Sequence, residues 1–347
     1  MDTRYSPEQL ELRRSAAALV GDLGPRTVDD LDDAARRSRL ADAARRAGWL
    51  DLRGPGEDDG PLASGVEVAI VARQLGRVAA DTPFLGPVVA VDLARQAGLE
   101  LEDARASAVL DVSLVDFAVA SPSAASAGVA VDCAGAERGI VLARDGDGPG
   151  EVTLVEVALG EPAPATDLTR ALVPVTITGD GSMSGSDGAA LAVAAVGRSR
   201  ALALAITIAD LVGTMEGVLD TTVAYAQERQ QYGVAIGSFQ AVQHLLAEAR
   251  VLVEGASSVA QYAAWAVDAL PPDDALEAGA VAKAYCARAA RTVCETAIQV
   301  HGGIGNTWEC FVHVYLRRAL LSSSLLGDEG HHLRALARRR VGYDRGL

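Results

Sequence analysis

Aromatic residues make up only 4% of this 347-residue chain, cysteine occurs four times, and acidic residues outnumber basic ones 46 to 31. Each scarcity excludes something. With so few large rings, a chain that is 50% hydrophobic must build its core mainly from Ala, Leu and Val. Ala and Leu lose little side-chain entropy in helices and suit closely spaced helix faces, so a largely helical protein is expected. A formal charge of −15 excludes the dense basic surface that a nucleic-acid partner demands. Cys133, Cys286, Cys294 and Cys310 form no Cys-x-x-Cys pair and do not stand among histidines at ligand spacing. They read as reduced, buried, small apolar side chains, and the five histidines are too scattered to suggest a metal. No apolar core follows a basic stretch at Met1–Pro7, and no later run reaches about 18 unbroken apolar residues. The expectation is a cytoplasmic protein without a membrane partner.

Three blocks divide the chain. From residue 7 to about 105 apolar residues recur at three and four, as in Val66, Ala69, Ile70 and Leu75, with a loop at Gly54–Pro61. Between about 107 and 190 short β-prone runs such as Val129–Cys133, Gly139–Ala143 and Val152–Val157 alternate with Gly, Pro, Asp and Ser clusters, which predicts a small antiparallel sheet. The polar, glycine-rich stretch Gly179–Gly188 reads as a linker. Helical periodicity then returns, with helices predicted over about 35 residues to Arg229, Phe239–Leu270, Asp274–His301, and near 309–325 and 329–341. Helical, β and helical blocks in series make an α+β chain rather than an alternating α/β one. The expected domains are 1–106, 107–190 and 191–347.

Two stretches carry chemical information. In Arg229-Gln230-Gln231-Tyr232-Gly233 a long helix ends at an arginine, and Ser238 is expected to cap the next helix. Arg229 in that setting suits either the negative end of the helix dipole or a pyrophosphate, with Gln231 supplying an amide. In Gln299-Val300-His301-Gly302-Gly303-Ile304-Gly305 the glycines stop a helix, and they also let backbone approach a phosphate or adenine closely. Asn306 or Thr307 is expected to cap the helix that follows.

Taken together, these stretches resemble the acyl-CoA dehydrogenase family, whose pattern is Arg-x-Gln-Phe-Gly, then Phe-Gln, then Gln-x-x-Gly-Gly-x-Gly. Tyr232 replaces the Phe, and Ala47–Leu50 and Pro83–Gly86 also look like family segments. The resemblance implies an N-terminal helical domain, a small middle β domain and a C-terminal four-helix bundle. It implies FAD at a subunit interface, with Arg229, Gln231, Tyr232, Phe239, Gln240, Gln299, Gly302 and Gly303 holding the adenine and pyrophosphate end. The implied reaction is α,β-desaturation of an acyl-CoA thioester, with electrons passed to an electron-transfer flavoprotein.

The base of that reaction has no counterpart. Where the commonest family pattern places its catalytic glutamate stands Leu326, and where a minority places it stands Ala203. Asp210 lies two turns further along that helix, roughly 10 Å away. Asp328 reads as the N-cap of the last helix, with Glu329 beside it, and no catalytic residue is assigned. The Thr-Glu-Pro and Gly-Ser-Asp motifs that meet the flavin ring in the family are also missing from Ser113–Ala124. The sequence therefore resembles the base-lacking subunit of α2β2 family members, which are associated with bulky CoA thioesters including steroid acids. Its partner would be a homologous catalytic subunit. Two alternatives stand beside this: a self-sufficient homo-oligomer using Asp328, Glu329 or another base, and a non-redox binding or structural relative. The pair His331-His332 is expected to face solvent.

Overall fold

The structure is a computed structural model that describes residues 4–56, 60–99, 101, 105–120, 126–144, 152–177 and 190–342. The expected linker at 179–188, residues 121–124 and residues 57–59 lie outside the described residues. Helices α1 (Pro7–Leu23), α2 (Ala34–Arg46), α3 (Gly65–Arg77) and α4 (Leu85–Gln96) come first. Their starts are written locally. Ser6 and Ser64 each form a reciprocal capping box, with Gln9 and Glu67, and Asp33 caps α2.

Strands β1 (Ala106–Asp111), β2 (Val119–Ala120), β3 (Ser126–Val131), β4 (Arg138–Arg144), β5 (Val152–Ala158), β6 (Leu172–Ile177) and β7 (Ala190–Leu191) form one sheet. Its order is β6-β3-β1-β4-β5-β7, with β2 also paired to β4. Four pairings are antiparallel as expected, whereas β1 and β2 both run parallel to β4. The reason is topological. Strand β3 takes one edge of β1, so β4 must cross to the other edge, where it runs in the same direction as β1.

The C-terminal half comprises α5 (Val193–Glu228), a hairpin of β8 (Gln230–Gln231) and β9 (Val234–Ala235), α6 (Gln240–Ala269), α7 (Pro272–His301), α8 (Val312–Ser324) and α9 (Glu329–Val341). Helix α5 is long and apolar enough to cross a membrane by composition, but nearly all of its most apolar stretch is buried inside the fold. It packs against α3, α6, α7 and α8 as the central rod of the bundle. Its approach to α3 depends on glycine. A Cβ on Gly213 would lie 2.0 Å from the Arg73 carbonyl oxygen, and one on Gly217 1.9 Å from that of Arg77. Arg73 closes the same seam with two hydrogen bonds to Glu216, at 2.9 and 2.7 Å.

One buried ionic network joins all three blocks. Arg318 of α8 donates to Asp210 of α5 at 2.7 and 3.0 Å, to the Ala80 carbonyl at 2.8 Å and to the Thr169 hydroxyl at 2.7 Å. Arg170, from the β5–β6 connection, pairs with the second Asp210 oxygen at 2.8 Å, and the Ser322 hydroxyl donates to that oxygen at 2.9 Å. Burial alone would raise the Asp210 carboxyl, but the two guanidinium groups hold it below the usual carboxylate range.

Removing one partner from such a pair strands a charge in the interior. Replacing Arg318 with Met is expected to lower folding stability by about 3–5 kcal/mol, while Arg77→Ala, which breaks an exposed pair with Asp220, should cost less than about 1 kcal/mol. Chemical denaturation of the two variants checks this; equal losses would contradict the assignment.

Candidate cofactor end and the turn opposite it

The antiparallel run of α5, α6 and α7 returns the chain to its starting end with each pair of helices. The C-termini of α5 and α7 therefore meet, and Tyr225 of α5 stacks on His301 of α7 with ring centroids 4.2 Å apart. Both motif segments thus share one end of the bundle. Helix α5 closes with the Arg229 N–H bonded to the Tyr225 carbonyl, and the β8–β9 hairpin turns through Tyr232 and Gly233, at φ 54° and 80°. Two successive left-handed residues suit the twist of a two-residue hairpin, at a cost for a tyrosine. Tyr232 is 94% exposed and meets the half-exposed Phe239 edge to face at 6.3 Å.

Two capping expectations fail here. Phe239, not Ser238, occupies the N-cap of α6, and the Ser238 hydroxyl donates back to the Ala235 carbonyl. The helix after the glycine loop starts at Val312 with Phe311 as cap, so neither Asn306 nor Thr307 performs that role; the Thr307 hydroxyl instead bonds the Ile304 carbonyl. In both cases a short 3-10 segment, Ile236–Ser238 or Gly302–Asn306, intervenes, and the hydroxyl bonds a carbonyl in or next to it.

The side chains of this end are open. Arg229, Gln231, Gln240 and Gln299 are exposed, as are Gly302 and Gly303. The Arg229 guanidinium makes no hydrogen bond or ion pair to a described residue. Gly302 has φ +66°, and a Cβ on Gly302 or Gly303 would meet nothing within 4 Å, so the glycine loop presents bare backbone to open space. A guanidinium, side-chain amides and unobstructed backbone at one helix end fit a pyrophosphate with an attached purine.

The turn between α8 and α9 is built the opposite way. Leu326 is 1% exposed and left-handed, at φ 61°, followed by Gly327 at φ 95°. Beneath it the fully buried Lys283 of α7 donates to the carbonyls of Ser323, Leu325 and Gly327 at 3.0, 2.6 and 2.9 Å. Burial takes this ammonium down to about 7. Sequence reasoning missed Lys283. Its signal was a lone lysine on an apolar helix face, at helical spacing from Gly279, Cys286 and Ala290.

The loop after β1 lies across this turn. The Gly327 N–H donates to the Leu114 carbonyl at 3.2 Å, and Asp116 pairs with Arg200 of α5 at 2.9 Å. Ala203 is buried. Among the acidic side chains nearby, Asp210 is held by two arginines, Asp328 caps α9 through the His331 N–H at 2.7 Å, and Glu329 pairs with Arg288. The His331-His332 expectation is corrected: His332 is buried with Nε2 at 2.9 Å from the Leu326 carbonyl oxygen, because α9 folds back onto α7. Burial, with Lys283 and His331 nearby, pushes its imidazole down to about 4. Cys133, Cys286 and Cys294 are free and buried, with Cys286 raised by burial to about 12, so these thiols are unreactive.

Comparison with known proteins adds the following. Residues 186–341 match the family model described as acyl-CoA dehydrogenase, C-terminal domain. The chain is 31% identical over 279 residues to the acyl-CoA dehydrogenase IpdE2 of Mycolicibacterium smegmatis, covering 78% of this chain and 77% of that protein. In fold it is similar to a chain of the ChsE4-ChsE5 complex from Mycobacterium tuberculosis, with a TM-score of 0.79, 23% identity, and 99% and 100% of the two chains covered. It is likewise similar to a chain of the Tcur3481-Tcur3483 steroid ACAD, with a TM-score of 0.76, 23% identity, and 96% and 98% covered.

The depressed His332 imidazole has a definite consequence in acid. The unfolded chain takes up a proton near 6.5, and the folded protein only near 4, so stability falls as pH drops through that window. The contribution of this residue amounts to about 3 kcal/mol. Replacing His332 with Asn should flatten the pH dependence of the denaturation midpoint between pH 6.5 and 4; an unchanged slope would show that the imidazole is not excluded from protonation.

Proposed function

The chain belongs to the acyl-CoA dehydrogenase family, and on that premise we propose that it is the base-lacking subunit of an FAD-dependent, heteromeric acyl-CoA dehydrogenase. The carrying observation is the contrast between its two ends: an open arginine–glycine end, and a closed turn around Leu326 whose nearby acidic residues Asp210, Asp328 and Glu329 are all engaged. FAD would supply hydride acceptance when bound, during α,β-desaturation of an acyl-CoA thioester.

In this reading the three blocks act as domains 1–106, 107–190 and 191–347. Arg229 and Gln231 bind the pyrophosphate, Gln299 and the bare backbone of Gly302 and Gly303 border the adenine, and Gln240 adds an amide. Tyr232 and Phe239 form the apolar lip against the partner subunit. The closure of the loop after β1 over the α8–α9 turn, through the Gly327 N–H to the Leu114 carbonyl, supports a flavin ring held outside this chain. The ring, the glutamate that removes the α-proton and the thioester pocket therefore fall to a homologous catalytic partner. A steroid-like, bulky acyl group, an electron-transfer flavoprotein as acceptor and a cytoplasmic setting complete the proposal. A homo-oligomer using Asp328 or Glu329 is disfavoured, since one caps a helix and the other is paired.

Purified alone, the chain should carry little flavin, and co-purified with its catalytic relative about one FAD per pair of unlike chains, measured by absorbance. Arg229→Ala should lower FAD affinity of the complex by about tenfold or more, the loss expected for a charge-assisted hydrogen bond. Full flavin occupancy of the chain by itself would overturn the reading. Introducing Leu326→Glu should leave the isolated chain without acyl-CoA oxidation, because the closed loop and not only the missing carboxylate blocks the site; turnover by this single variant would disprove that closure.

A further inference from the structure

Helices α6 and α7 turn one long face outward. At about 3.6 residues per turn, Ala247, Val251, Ser258 and Tyr262 fall in a stripe along the outer side of α6, and Val281 and Tyr285 in a second stripe on α7. All six are exposed, the large ones at 70% for Val251, 44% for Tyr262, 38% for Tyr285 and 36% for Val281. The two stripes are one surface, because Tyr285 reaches across to α6, where a Cβ on Gly255 would lie 2.3 Å from its hydroxyl. A groove of about 570 Å³ continues the face between the helices, walled by Val259, Tyr262, Leu270 and Val281. Apolar side chains scattered singly over a surface need no explanation, but a contiguous patch with a polar rim marks an interaction site.

Charge says what covers it. With a formal charge of −15, two copies of this chain repel wherever their acids are bare. Around this face they are covered: Glu254 pairs with Arg250, Glu329 with Arg288, and Asp274 and Glu277 with Arg339 and Arg340. Arg250 and Glu254 also stand on the same flank of Val251, one helical turn apart. When two such helices lie antiparallel about a two-fold axis, like flanks face each other, so the arginine of each copy meets the glutamate of the other while Val251 packs near its own counterpart. The pattern is thus complementary to itself, in charge as well as in apolar surface.

We propose that the outer face of α6 and α7 joins two copies of this chain through a two-fold contact centred on Val251. The contact uses none of the flavin-end residues, so it stands or falls separately from the cofactor reading.

Sedimentation velocity of the full chain over a concentration series, alone and with its catalytic relative, tests this. The chain alone should form a dimer. Val251→Arg should raise the dimer dissociation constant by about a hundredfold, since it sets two like charges against each other at the centre of the contact. Arg250→Glu should raise it by about tenfold, and the double exchange Arg250→Glu with Glu254→Arg should restore it. Val112→Arg, at a comparably exposed valine in the β1–β2 loop, and Arg229→Ala should leave the dimer unchanged. With the catalytic relative, Val251→Arg should keep its share of FAD while the assembly falls to one pair of unlike chains. A chain that stays monomeric at every concentration, a dimer indifferent to Val251→Arg, a dimer broken equally by Val112→Arg or by Arg229→Ala, or a double exchange no better than the single one would each overturn the proposal. So would a monomer whose binding to the catalytic relative is lost in Val251→Arg, which would give this face to the unlike chain.

Discussion

Everything else in this structure is arranged around the carboxylate of Asp210, which sits fully buried on the central helix between two guanidinium groups. One comes from α8, the other from the β5–β6 connection, and the first also reaches the Ala80 carbonyl between α3 and α4. Asp132 extends the same field: it accepts the N–H groups of Phe84 and Leu85 at the start of α4, and it is raised by burial despite the nearby Arg170 and Arg318. A hydrophobic interface alone would tolerate sliding; an ion pair at fixed hydrogen-bond length does not. The network therefore sets how the sheet, the N-terminal helices and the bundle meet.

That rigidity explains the asymmetry of the chain. On the side governed by the network, Asp210, Asp328 and Glu329 are engaged, Lys283 ties down three carbonyls of the α8–α9 turn, and the β1–β2 loop is bonded across it. At the other end, beyond the Tyr225–His301 stack, Arg229, Gln240 and Gln299 are exposed, and the Arg229 guanidinium has no partner among the described residues. Pairing polar groups within the fold leaves fewer of them free for a ligand, whereas an exposed guanidinium without a described partner keeps its donors free.

Much of this was legible before the fold was known, and the errors share one cause. Helix boundaries in the C-terminal half fall within a few residues of expectation, and Asp328 caps α9 as its position suggests. Ser238, Asn306 and Thr307 look like caps too, yet short 3-10 segments intervene and divert the two hydroxyl groups. His332 reads as solvent-facing because its neighbours in sequence are polar, but its neighbours in space are Lys283 and the Leu326 carbonyl. The parallel ladders of the sheet were equally invisible, since which edge of β1 receives β4 is not a property of either strand.

Local chemistry in the sequence by itself determined the helical blocks, the β-prone middle, the acidic balance of the chain and the spacing of the arginine and glycine motifs. These depend on residues within one or two turns of each other, where propensity and capping act. Only the tertiary structure decided that those motifs share one bundle end and that Lys283 lies beneath the turn at Leu326. Such facts join residues far apart in the chain, and burial and hydrogen-bond satisfaction are defined only after packing has chosen the neighbours.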